Sequence, residues 1–183
     1  YVNISRLSPV MNYEHSWALR KIPLKQGQRH YTPHHICYHA PTRSFVITVS
    51  YQELSKDPEM NHPSQSGGLP RFEDKHELFL LDMSNGAKIV NHFPLDDKEH
   101  VVSICSVDLN VKNNAGDKVE SRPLIAVGTA ILNGEDEPCK GRIFIFDIIT
   151  QRADDGSLSL RIKHLLDKTE KGPISAVNSV VGY

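Results

Sequence analysis

The stretch RIFIFDII, residues 142–149, has apolar side chains on both of its faces if it is extended. Successive side chains of a strand point to opposite sides, so Ile143, Ile145, Asp147 and Ile149 share one face. Phe144, Phe146 and Ile148 take the other. A strand that is apolar on both sides belongs in a sheet covered on both sides. LIAVGTAIL (124–132) reads the same way, and Gly128, with the small Ala126 and Ala130, allows another backbone to come close.

Working outward, helical periodicity is nearly absent. Short β-rich runs recur instead, divided by Gly, Pro, Asn and Asp. SWALRKIPL (16–24) reads as an extended edge segment with Pro23 near its end. HHICYH (34–39) follows Pro33, APTR turns the chain, and SFVITVS (44–50) completes a hairpin. The polar tract 51–75 cannot bury a core and reads as a long insertion. HELFLLD (76–82), the turn SNGA (84–87) and KIVNHFPL (88–95) close a first group of four strands.

HVVSICSVDL (100–109) opens a second group, continued by 124–132, 142–149 and LSLRIKHLL (158–166), with polar loops between. GPISAVNSVVGY (172–183) starts a third. The starts near 34, 100 and 173 repeat every ~65–75 residues, and four antiparallel strands per repeat indicate propeller blades with long loops. The expected fold is therefore all-β: a β-propeller fragment of about two four-stranded blades plus the start of a third. Residues 1–33 are a lead-in carrying an edge strand of a preceding blade, 34–99 the first blade, 100–171 the second, and 172–183 the first strand of a further blade. Two blades cannot close a ring, so the chain is expected to belong to a larger propeller.

Composition excludes several classes. The 183 residues are 39% hydrophobic and 23% charged, as in globular domains. No apolar run approaches the ~20 residues of a membrane span, so no membrane is expected as a partner. The net charge of −1 argues against electrostatic capture of nucleic acid by the whole domain. Residues 1–35 alone carry Arg6, Arg20, Lys21, Lys25 and Arg29 against Glu14, five cations against one acid. Cys37, Cys105 and Cys139 are few and widely spaced, which suits reduced thiols rather than a disulfide framework.

Four histidines and a cysteine fall within RHYTPHHICYH (29–39). Strand alternation would put His35, Cys37 and His39 on one face, a possible zinc-ligand trio, with His34, Ile36 and Tyr38 on the other. No second cluster supplies a fourth ligand, and hydrogen-bonded imidazoles on a semi-buried surface are the expectation. Glu135, Asp136 and Glu137 lack the register of a calcium loop. Cys139 beside Lys140 lacks an identifiable base. Catalytic, cofactor and metal residues are all expected to be none. Trp17, Arg71 and Phe72 are conceivable docking anchors, although ordinary packing or a place in a mobile loop is the better reading of each.

SWALRKIPL, TPHHICYH, LIAVGTAILNGEDEPCKGRIFIFDII and DKTEKGPISAV resemble, in order and spacing, the large triple-propeller scaffolds. That family includes the large subunits of the cleavage and polyadenylation specificity factor, of the damaged-DNA-binding complex, and a propeller subunit of splicing factor 3b. The resemblance covers most of 16–183, and 51–75 and 110–122 diverge. RKIPL and GEDEPCKGR are closest to the polyadenylation factor. The resemblance implies a non-enzymatic nuclear scaffold whose partners are other subunits of a multi-subunit complex, with pre-mRNA reached through them. A sister scaffold of a cullin ubiquitin ligase with a role in DNA repair, or of the spliceosome, is the alternative. From a different class comes direct single-strand RNA binding by 1–35, with Tyr13, Trp17 and Tyr31 stacking on bases.

Overall fold

The computed structural model describes residues 22, 24–26, 29–54, 72–84, 86–112, 119–134, 136–152, 156 and 158–179. Among them no helix is long and apolar enough to cross a membrane. β1 (Lys25–Gln26) and β2 (Arg29–His30) form a short antiparallel ribbon. β3 (Thr32–His39), β4 (Ser44–Leu54), β5 (Phe72–Asp82) and β6 (Lys88–Pro94) follow as a four-stranded sheet in sequence order. β7 (Glu99–Lys112), β8 (Val119–Ile131), β9 (Gly141–Arg152) and β10 (Leu158–Glu170) repeat that order in a second sheet. All ladders are antiparallel, the connectivity of propeller blades. The chain is an all-β propeller fragment with two four-stranded blades.

Local chemistry builds the elements. β4 is rich in β-branched residues, which suit a pleated surface. Its hairpin to β3 closes where Arg43 N–H donates to Ala40 O (3.2 Å). Arg43 adopts φ 51° there. Asp82 Oδ1 accepts from Ser84 N–H (2.8 Å) and starts the turn into β6. Pro33 lies in β3, an edge strand, where its missing donor costs nothing.

The sheets stack with β3 against β7 and β6 against β10. Cys37, Val46, Leu78 and Leu80 of the first meet Val101, Ile125, Val127, Phe144, Phe146 and Ile148 of the second. The far face of the first sheet holds Ile47, Val49, Phe79 and Leu81, flanked by Leu24 and Tyr31. The far face of the second holds Val107, Leu124 and Ala126, flanked by Ile145 and Val177. Both faces of both sheets are thus apolar, as RIFIFDII predicts. Asp147, the acid on that stretch, lies 3.7 Å from Arg122 Nη1. Ile36 and Tyr38 stay 62% and 47% exposed on the far side of the first sheet, where apolar area remains uncovered.

Three sequence expectations change. The tract 51–75 is not all insertion, because Tyr51–Leu54 pair with Phe72–Lys75 and prolong the β4–β5 hairpin. Backbone pairing does not need an apolar face once the hairpin projects into water; residues 55–71 lie outside the described set. The loop 110–123 shrinks likewise, since Asn110 pairs with Ser121 and Lys112 with Val119. The segment 172–183 forms no ladder over 173–179, and 180–183 lie outside the described residues. Ile174 N–H donates to Thr129 O and Ser103 Oγ–H donates to Ile174 O, which tie the segment to the second blade. The lead-in segment 16–24 falls outside the described residues except for Ile22 and Leu24.

Candidate functional site

Among the described residues the most connected polar site sits where the first blade hands over to the second. Asp96–Lys98 turn from β6 into β7, with Glu99 N–H donating to Asp96 O (3.2 Å). Glu99, the first residue of β7, is 1% exposed. A buried carboxylate is costly unless fully paired. Here Oε1 accepts from Arg142 Nε (2.9 Å) and from Thr129 Oγ1–H (2.5 Å), while Oε2 accepts from Arg142 Nη2. The two-pronged guanidinium–carboxylate pair fixes geometry as well as charge. Arg142 Nη2 also donates to Asp96 Oδ2 (2.5 Å). The guanidinium lies 4.7 Å from the Phe144 ring centroid, and Asp167 Oδ2 is 4.0 Å from Nη1. Hydrogen bonding to Glu99 raises the Arg142 pKa above its ordinary value, against the effect of burial.

Thr129 stands at a gap in the ladder. β8 pairs with β9 from Ile125 to Gly128, and the next bridge is Ile131 to Lys140. In the gap Arg142 N–H donates to Thr129 Oγ1 (3.0 Å), so a hydroxyl replaces a missing ladder acceptor. The freed Thr129 carbonyl accepts from Ile174 N–H (3.0 Å) instead. Ser103 Oγ–H donates to Ile174 O (3.3 Å) from β7.

Two glycines admit this strap. A Cβ on Gly128 would lie 2.6 Å from Ile174 Cγ2 and from Ser103 Oγ. A Cβ on Gly141 would lie 2.5 Å from Thr129 O and 2.7 Å from Gly172 O, both backbone atoms. Gly141→Ala should therefore cost about 1–3 kcal/mol by overpacking. Gly172, where an added Cβ meets nothing within 4 Å, should accept Ala without loss. Urea midpoints of the two variants test this, and equal midpoints would sink the close-approach argument.

The arrangement has no nucleophile–base pair. It fixes two blades and the departing chain in one orientation, which is positional work. The residues concerned come from DDKEHVVS (96–103), VGTA (127–130), GR (141–142) and GPIS (172–175), segments spread along the sequence that the fold gathers at one point.

A family model described as CPSF A subunit region matches residues 75–183, which include every residue of this site and 109 (183 − 75 + 1) of the 183 residues. The chain belongs to the CPSF A subunit family. It is 29% identical over its whole length to "Cleavage and polyadenylation specificity factor subunit 1" of Arabidopsis thaliana. Identity is 26% over 99% of the chain to "Protein cft1" of Aspergillus clavatus. It is 25% over the whole chain to a Drosophila melanogaster protein with the same name as the Arabidopsis one. The chain spans 13% of the length of each of these relatives.

In this member of the family the histidine cluster is taken apart. His39 is 2% exposed. Its Nδ1 bonds Thr42 Oγ1 (2.8 Å) and its Nε2 bonds the carbonyl of Pro123 in the second blade (3.1 Å). Cys37 lies in the inter-blade core, and burial pushes its thiol pKa up. Among the described residues no group of three His, Cys, Asp or Glu is placed to hold a metal ion. A bulge between Pro33 and His35 breaks the expected alternation, so His34 leaves the face of Ile36 and Tyr38 and its Nε2 meets Ser50 Oγ (2.7 Å).

Other singled-out residues scatter. Tyr31 is half-buried, its ring 4.7 Å from Phe79 and 5.3 Å from Tyr51, and so is not free to stack on a base. Arg29 lies over the Tyr51 ring (4.6 Å) and 3.3 Å from Glu53 Oε1. Cys139 is half-buried, its Sγ 3.4 Å from Lys140 O. Asp136 and Glu137 are exposed, as is Phe72. Tyr13, Trp17, Arg71 and Glu135 lie outside the described residues. Sequence reasoning missed the Glu99–Thr129–Arg142 lattice. The available signal was a charged residue at or beside the start of each of two strands, Glu99 in β7 and Arg142 in β9.

Proposed function

We propose that the chain is a structural part of a non-enzymatic, nuclear β-propeller scaffold for cleavage and polyadenylation of pre-mRNA. The observation that carries this is the family match, which encloses the whole blade-joining site. The relatives named as cleavage and polyadenylation specificity factor subunit 1 support the process. Residues 34–99 and 100–171 act as two blades, 1–33 and 172–183 lead toward their neighbours, and no cofactor takes part. Face-packed sheets hold their connecting loops stiffly, and loops on a stiff support are where partners dock. The partners are other subunits of a multi-subunit complex, and pre-mRNA is reached through them.

Tagged full-length polypeptide, wild type and Gly141→Ala, tests the reading by affinity purification from nuclear extract. Wild type should bring down polyadenylation subunits, and the variant should bring down less. Recovery of a cullin or of splicing proteins in their place would overturn the assignment to 3′-end processing.

A further inference from the structure

We propose that His34, His76 and His100 form a proton-sensitive latch across the blade junction, closed while His76 is neutral and released when it takes up a proton. The three come from different strands: His34 from the bulge of β3, His76 from β5, and His100 from β7 of the second blade. The His34 and His76 rings stack with centroids 5.3 Å apart. His76 Nε2 lies 2.9 Å from His100 Nδ1, joining one blade to the next. His76 is 7% exposed, and its Nδ1 is buried with no hydrogen-bond partner.

That unpartnered nitrogen decides the chemistry. A neutral His76 carrying its proton on Nε2 donates to His100 Nδ1 and leaves only a lone pair at Nδ1. A second proton would put an N–H at Nδ1 with nothing to accept it, and a buried unsatisfied donor is costly. It would also place a positive charge on the buried His76 ring, beside two other imidazoles. The groups facing His76 are His34 from β3, Ser50 from β4, Asp74 from β5 and His100 from β7. Lys98 lines the adjoining cleft with Asp74 and His100. Asp74 alone favours the proton. Burial first, then His100 and His34, hold His76 down to about 4 from the usual 6.5.

The sign follows from linkage. A ring that titrates lower in the closed junction than when opened takes up protons preferentially in the opened form. Its contribution is intact above the ordinary value of 6.5 and is lost as pH falls from there toward 4. The opening equilibrium of the junction should rise roughly 20-fold between pH 7 and pH 5.

Hydrogen–deuterium exchange of the full-length polypeptide reads this directly. Exchange rates of peptides covering 72–82 and 99–112 are divided by the intrinsic rates of the same sequences at each pH, which removes the intrinsic pH dependence of exchange. The ratio should climb as pH falls in wild type. It should stay flat in His76→Gln, whose side-chain amide keeps the bond to His100 but does not titrate. His34→Gln, at an exposed position that leaves the buried ring in place, should flatten the climb in part. A wild-type ratio that does not change with pH overturns the latch. So does an undiminished climb in either variant.

Discussion

Arg142→Ala lowers the stability of the blade pair by about 3–5 kcal/mol, the usual cost of stranding one member of a buried ion pair. Glu99 is 1% exposed and keeps only the Thr129 hydroxyl once the guanidinium is gone. The loss goes beyond charge. Arg142 also reaches Asp96 in the turn between the blades and covers the Phe144 ring, so the turn and β9 both lose an anchor. Equilibrium urea unfolding measures the effect. Glu99→Leu combined with Arg142→Met should be far milder than Arg142→Ala alone, because no charge is left buried. A double variant as unstable as the single would show that the lattice acts by shape and not by charge compensation.

Phe146→Ala is expected to cost about 3–5 kcal/mol, by lost transfer energy and by the cavity left behind. Phe146 is 1% exposed in the contact between the blades. The edge of Phe93 in β6 meets it at 4.9 Å, and Phe144 stacks beside it at 5.6 Å. Rigid sheets on both sides leave little room for collapse, which places the cost in the upper part of that range. Leu158→Ala, at a side chain 70% exposed, should stay within about 0.5 kcal/mol. A Phe146→Ala midpoint as close to wild type as Leu158→Ala would mean that the blades do not rest on each other through this ring.

Much of the fold was legible in the chain because strand signals are local. RIFIFDII has a period of 2 on both faces, and the structure buries Phe144, Phe146 and Ile148 between the sheets. The turns at 40–43 and 84–87 carried residues that tolerate tight backbone geometry, and both hairpins close there. Polar composition misled at 51–54 and 72–75. Those residues pair along the backbone, and hydropathy says nothing about backbone pairing where neither face must be dry. The candidate site was harder. Gly128 reads in the sequence as a place where another backbone can come close, but only the structure shows that the segment at Ile174 of the same chain fills it. His35, Cys37 and His39 looked like one site from their spacing, but the imidazoles that meet are 34, 76 and 100.

By itself, then, the order of residues determined the strands, their grouping in fours, and the motifs that place the chain in its family. Each depends on neighbours a few positions apart. Tertiary structure alone decided that Glu99, Thr129, Arg142 and Ile174 share one site and that three histidines line up across two blades. Those meetings depend on ladder register, on the bulges after Pro33 and Val101, and on how one sheet settles on the next. A one-residue slip turns a side chain to the opposite face without altering the local pattern that announced the strand.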